Sequence, residues 1–151
     1  ELGAVLHFES LKLKPGKPAV FATARGKYVF GLPGNPVSAF VTFELLARPL
    51  LRFLQGAVDD YWPVAMATLK QKVQEKPGRT KILPAQILST VRGLEAEPVE
   101  YKGSADIFAI GRANGFIVIP AETSLVREGD QVQVWLLKSI LSKSMSQDLV
   151  V

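Results

Sequence analysis

The sequence predicts an α+β protein in two parts: the closing segment of a layered α/β domain, then a small β-barrel. Three observations carry this reading. Up to Gly56, short apolar stretches lead into one long apolar helix. A breaker and two acids, Gly56 and Asp59-Asp60, then interrupt the pattern. Beyond them the apolar residues fall into short alternating runs between polar turns, as in a barrel or sandwich. The expected boundaries are 1–58 for the first part, 59–138 for the barrel and 139–151 for a frayed tail.

In the first part, Ala4 to Phe8 is a short apolar strand, and Leu11 and Leu13 alternate with Lys12 and Lys14. Pro15-Gly16 is a turn. Ala19 to Thr23 and Tyr28 to Leu32 form a hairpin around Gly26. Asn35 is placed to cap a helix, and Pro36 suits its first position. That helix runs from Pro36 to about Leu54, with Glu44, Arg48 and Arg52 as one polar line at spacing four. Pro49 is expected to kink or split it. Its remaining surface is so apolar that three strands cannot cover it, which predicts burial against another chain through Phe40, Phe43, Leu50 or Phe53. In the second part, strands are expected over Val64 to Val73, Lys81 to Val91, Glu95 to Tyr101, Phe116 to Ile119 and Gln131 to Leu137, with a short helix from Ile107 to Arg112.

Composition narrows the function. Of 151 residues, 48% are hydrophobic and 21% charged, which suits a folded globular chain. No charge-free apolar stretch reaches the roughly 18 residues of a membrane span. The chain begins at Glu1 without a Met or a secretory pattern, which suggests a trimmed or excised fragment, and the lack of Cys fits a cytoplasmic protein. The absence of Cys excludes disulfides, thiolate chemistry and Cys-ligated zinc. His7 is the sole histidine and reads as a packed or surface residue; no metal site is assigned.

Positive charge is unevenly spread. No acid lies between Glu9 and Glu44, a stretch holding Lys12, Lys14, Lys17, Arg25 and Lys27. Lys70, Lys72, Lys76, Arg79 and Lys81 form a second cluster with Glu75 alone among them. Such clusters suit an oxyanion or phosphate, and equally a solvated face. Nucleic acid is not the expected partner, because no aromatic residues are interleaved for stacking.

Three constellations stand out. Gly31-Leu32-Pro33-Gly34-Asn35-Pro36-Val37-Ser38 joins a strand to a helix start, where N–H groups and the dipole favour anions; an ordinary capped connection has the same form. Lys14-Pro15-Gly16-Lys17-Pro18 sets two ammonium groups about a stiff turn, which suits an anion grip or a polar hairpin tip. Arg79, in Pro77-Gly78-Arg79, offers a planar fork, and Ser104, in Gly103-Ser104-Ala105-Asp106, offers a hydroxyl or a helix cap.

Taken in order, these motifs resemble the molybdopterin molybdenumtransferase family, known as MoeA in bacteria and the gephyrin E domain in animals. Gly115-Phe116-Ile117-Val118-Ile119-Pro120 and Gly129-Asp130-Gln131-Val132 extend the likeness from about Val5 to Leu137. The resemblance implies the end of an αβα, MogA-like pterin-binding domain followed by a C-terminal β-barrel domain, within an elongated homodimer. It implies an enzyme that inserts molybdate into adenylylated molybdopterin and releases AMP, with Mg2+ held by residues outside this chain. Carried over by motif, Lys14 and Lys17 contact anions, Pro33, Gly34, Asn35, Pro36 and Ser38 line the same site, and Arg79 and Ser104 face it from the barrel domain. The family's acidic catalytic loop precedes Glu1, so no catalytic residue is assigned and the chain alone is expected to be inactive. A non-catalytic scaffold or oxyanion-binding module is the alternative.

Overall fold

The computed structural model describes residues 3–58, 62–100 and 103–137. The expected tail, 139–151, and Asp59-Asp60 lie outside the described residues. The chain divides into two compact units: residues up to 58 with 103–107, and residues 62–100 with 108–137.

In the first unit, β1 (Ala4–Phe8) is followed by a two-residue extended segment, β2 (Leu13–Lys14), and then by β3 (Val20–Ala24) and β4 (Lys27–Gly31). β1, β3 and β4 form an antiparallel sheet in the order β1-β3-β4. The hairpin pairs Ala24 with Lys27 across Arg25-Gly26, whose φ values of 49° and 71° are both left-handed. That turn matches the strand twist, and only glycine adopts it without strain. Phe21 is the hub of one sheet face, with the rings of His7 and Phe30 each stacked 4.9 Å away. The His7 Nε2 is also 3.0 Å from the Thr23 hydroxyl, so His7 is an exposed residue lying against the sheet face.

The long helix follows as α1 (Pro36–Thr42), a π-helical turn (Phe43–Ala47) and α2 (Arg48–Leu54). Pro49 has no N–H to donate, and its ring crowds the Leu45 carbonyl four residues back. The helix meets this by widening before the proline, where the Arg48 N–H reaches back five residues to the Phe43 carbonyl. Val37, Val41, Thr42 and Ala47 are buried, whereas α2 buries none of its residues. Phe53 is 69% exposed, and Phe43, Leu51 and Leu54 are exposed too; Phe40 and Leu50 are half-buried.

The Lys14-to-Pro18 turn packs on this helix. Pro15 and Gly16 are buried, and Leu11 and Ala19 donate backbone N–H groups to the Lys17 carbonyl at 2.8 and 3.0 Å. Gly16 has φ +114°, and a Cβ there would lie 2.7 Å from the Thr42 methyl. Thr42 is itself fixed, because its hydroxyl donates to the Ser38 carbonyl at 2.8 Å.

The second unit is a closed five-stranded barrel of β5 (Val64–Leu69), β7 (Thr80–Thr90), β8 (Gly93–Pro98), β9 (Gly115–Ile119) and β11 (Gln131–Leu136). Its order is β7-β8-β5-β11-β9, and β9 pairs back onto β7. The β5–β8 pair is parallel and the others antiparallel. On β11, Val132, Val134 and Leu136 point into the core while Gln131 and Gln133 are exposed. Leu69, Leu83, Ile87, Ile117 and Ile119 fill the same interior. Pro84 lies in β7 where that strand exchanges β9 for β8 as its partner, a place that tolerates a missing donor. β6 (Val73–Gln74) and β10 (Leu125–Val126) form a separate two-residue ladder, so the strand expected over Val64 to Val73 is broken at Lys70–Lys72. The helix α3 (Ile107–Arg112) is as short as expected.

Ser104 differs from expectation. The family resemblance implies a place on the barrel, but residues 103–107 belong with the first unit. Hydrogen bonding explains this: the Ser104 carbonyl accepts the Val37 N–H at 2.9 Å, and its hydroxyl accepts from the Asn35 amide at 2.9 Å.

Two outcomes follow for stability. Gly16→Ala introduces both a left-handed strain and a clash with a buried methyl, and should lower stability by about 2 kcal/mol; thermal unfolding of the chain checks this, and an unchanged Tm contradicts it. Burial raises the Glu44 carboxyl above its ordinary value of 4.5, and the Arg48 guanidinium, 3.4 Å from Oε2, opposes only part of that. A raised folded-state value means that the contribution of Glu44 to stability is fully present below 4.5 and is lost as pH rises through the folded-state value. The stability of Glu44→Gln relative to the unsubstituted chain should therefore increase across that rise, measured by urea unfolding at successive pH values.

Candidate functional site

The lysine turn builds a rigid base with charged ends. Pro15 and Gly16 are held inward against Thr42, and Lys14 and Lys17 on either side are exposed. The turn is anchored by its buried residues and by backbone hydrogen bonds to the Lys17 carbonyl, with both lysines at the surface.

The strand-to-helix turn is arranged differently from a simple cap. Asn35 occupies the N-cap position with extended backbone, yet its side chain makes no capping bond. The amide instead donates to the Ser104 hydroxyl at 2.9 Å. Pro36 has no N–H, and the Val37 N–H is taken by the Ser104 carbonyl. The first turn of the helix is thus closed by a segment distant in sequence. Gly34, Asn35 and Pro36 are exposed and Pro33 is half-buried. Ser38 is 5% exposed, so it is buried rather than lining an open site, and its carbonyl accepts from the Thr42 hydroxyl.

The structure therefore joins Asn35 to Ser104, and packs the Lys14–Lys17 turn on the helix that Pro36 begins. Arg79 belongs to the second unit. Its guanidinium is exposed, on the loop between β6 and β7. That loop is fixed by the Gly78 N–H donating to the Ala121 carbonyl at 2.7 Å.

The second basic cluster divides into three kinds of cation. Lys70 pairs with Glu95 at 3.3 Å. Lys81 is 2% exposed and donates from Nζ to the Lys76 and Arg79 carbonyls, at 2.6 and 2.8 Å. Lys72, Lys76 and Arg79 remain exposed. A charge run in sequence gives no sign that one of its lysines turns inward, because its partners are backbone carbonyls. Lys81 is therefore a loop-holding residue that sequence reasoning counted as surface charge. Among the described residues no cluster of three or more His, Asp or Glu side chains is arranged to hold a metal ion.

Comparison with known proteins bears on both units. Residues 2–53 match the family described as a probable molybdopterin binding domain, and residues 66–137 match the MoeA C-terminal region, domain IV. The chain is 31% identical over 147 residues to a molybdopterin molybdenumtransferase of Staphylococcus epidermidis, covering 97% of this chain and 34% of the relative. It is 38% identical over 122 residues to the molybdenum cofactor synthesis protein cinnamon of Drosophila melanogaster, covering 79% of this chain and 20% of that protein. The solved molybdopterin biosynthesis MoeA protein of Pyrococcus horikosii superposes with a TM-score of 0.72 at 34% identity, over 87% of this chain and 32% of that one. The chain thus spans about a third of the length of the first of these relatives. With both units matched in order and the fold shared, the chain belongs to the MoeA family and corresponds to its C-terminal portion.

Proposed function

We propose that this chain supplies anion-gripping groups to an enzyme that inserts molybdate into adenylylated molybdopterin and releases AMP. The observation that carries the reading is the Lys14–Lys17 turn, with two exposed lysines about a buried Pro15-Gly16 wedged on Thr42. The substrates are anions, and charge-assisted bonds from Lys and Arg to phosphate or molybdate oxygens are the strong class of hydrogen bond. In the first unit Lys14 and Lys17 provide ammonium groups, Gly34 and Asn35 an exposed turn, and Ser104 the contact that orients Asn35. In the second unit Arg79 provides the planar fork. These groups bind and orient; charge neutralisation at the phosphate oxygens eases hydrolysis of the phosphoanhydride, in which a water oxygen replaces the bridging oxygen at the attacked phosphorus and AMP is released. Magnesium, when bound, would be held by carboxylates other than these residues.

The exposed apolar side of the helix, Phe43, Leu51, Phe53 and Leu54, supports a homodimer as the working form.

The test has two arms. Exchanging this chain for the matching stretch of the Staphylococcus epidermidis relative, in cells lacking their own transferase, should restore molybdoenzyme activity. In the same chimera Lys14→Ala or Arg79→Ala should weaken adenylylated molybdopterin binding roughly 10- to 150-fold at fixed salt, the value of one charge-assisted bond. Added salt should weaken the unsubstituted protein more than either variant. Unchanged affinity in both variants would sink the site assignment. Binding without restored activity would favour the scaffold or oxyanion-binding alternative.

A further inference from the structure

Among the described residues Lys81 is the one buried charged side chain, at 2% exposure. Its partners there are the carbonyls of Lys76 and Arg79, at 2.6 and 2.8 Å, and no described carboxylate pairs with it. Taking an ammonium out of water is costly, and a lysine at the start of a strand could equally have reached solvent. What the burial achieves is local. One ammonium draws two carbonyls of the 76–79 loop inward together, while the Lys76 and Arg79 side chains stay exposed. The loop is tied again by Gly78 N–H to the Ala121 carbonyl at 2.7 Å and by Glu75 N–H to the Ser124 carbonyl at 2.9 Å. Arg79 therefore projects from a backbone held on both sides of its own residue. A guanidinium reads an oxyanion through the direction of its fork, so a fixed backbone has more effect on Arg79 than on a flexible lysine.

We propose that Lys81 is a positioning residue for oxyanion recognition: by holding the Lys76 and Arg79 carbonyls, it sets the loop from which Arg79 meets a tetrahedral oxyanion of the molybdate or phosphate class. The inference rests on the reading of Arg79 as an oxyanion ligand.

The experiment is a double-mutant cycle on the whole chain with sodium molybdate as the probe, followed through Arg79 side-chain and backbone amide signals by NMR. Lys81→Met keeps the length and packing of the stem and removes the charge and donors. Arg79→Ala and Lys81→Met should each weaken molybdate binding about 10-fold, and the double variant should bind no more weakly than Arg79→Ala alone. A folded Lys81→Met with full affinity overturns the positioning role, as does an equal loss with Arg79 present or absent. Arg79→Ala with full affinity, or an unsubstituted chain that binds no molybdate, removes the Arg79 reading and this inference with it. Should Lys81→Met fail to fold, the unsubstituted chain still decides: saturating molybdate should shift the Arg79 Nε signal and slow exchange of the Lys81 ammonium protons. A shifted Arg79 beside an unchanged Lys81 refutes the coupling.

Discussion

The first unit depends on how its long helix begins. A helix leaves its first N–H groups without internal partners; a proline at the first position removes one of them, and the Val37 N–H that follows still needs an acceptor. Here the Ser104 carbonyl takes the Val37 N–H, and the Asn35 amide closes on the Ser104 hydroxyl, a link between residues 69 apart in sequence. Once this start is fixed, the rest follows along the helix. Val37 and Val41 face the interior, Thr42 arrives one turn later to receive Gly16, and the exposed Gly34-Asn35 turn sits where the helix leaves the sheet. The two features most suited to anions in this unit thus hang from one helix.

Charge is handled by the same economy of anchoring. Each candidate cation stands beside a residue that is locked in place. Lys14 and Lys17 flank a buried turn, and Arg79 follows a glycine whose N–H is bonded to the Ala121 carbonyl. The exposed groups keep their hydration and long-range attraction, while the buried ones set direction. Glu44 is the converse case: its carboxyl is drawn into the helix side with Arg48, and burial works against its charge.

How much was legible in the sequence varies with the range of the interaction. The Arg25-Gly26 hairpin, the Pro49 defect and the alternation on β11 arise from neighbours along the chain, and each was readable from local chemistry. β10 was missed because two residues, Leu125 and Val126, carry no period at all. The strand expected through Val73 ended at Leu69: the Lys70 N–H still reaches the Ala96 carbonyl, but Val73 pairs with Val126 in a separate ladder that no local pattern announces. Asn35 looked like a side-chain cap, and only the distant Ser104 diverts it. Lys81 shows the limit for the candidate site: its acceptors are carbonyls, and carbonyls are the same in every residue. The motifs marked the loops that matter, but not which cation among them turns inward.

The Ser104 contact also bears on modularity. The sequence that encodes the barrel carries, between β8 and α3, a short stretch that completes the other unit. A cut in the chain after the long helix therefore separates no independent halves: the piece upstream loses the closure of its helix, and the piece downstream keeps a loop made for a neighbour. Shuffling of such units in evolution would have to move the two together, or supply a new residue to meet Val37 and Asn35.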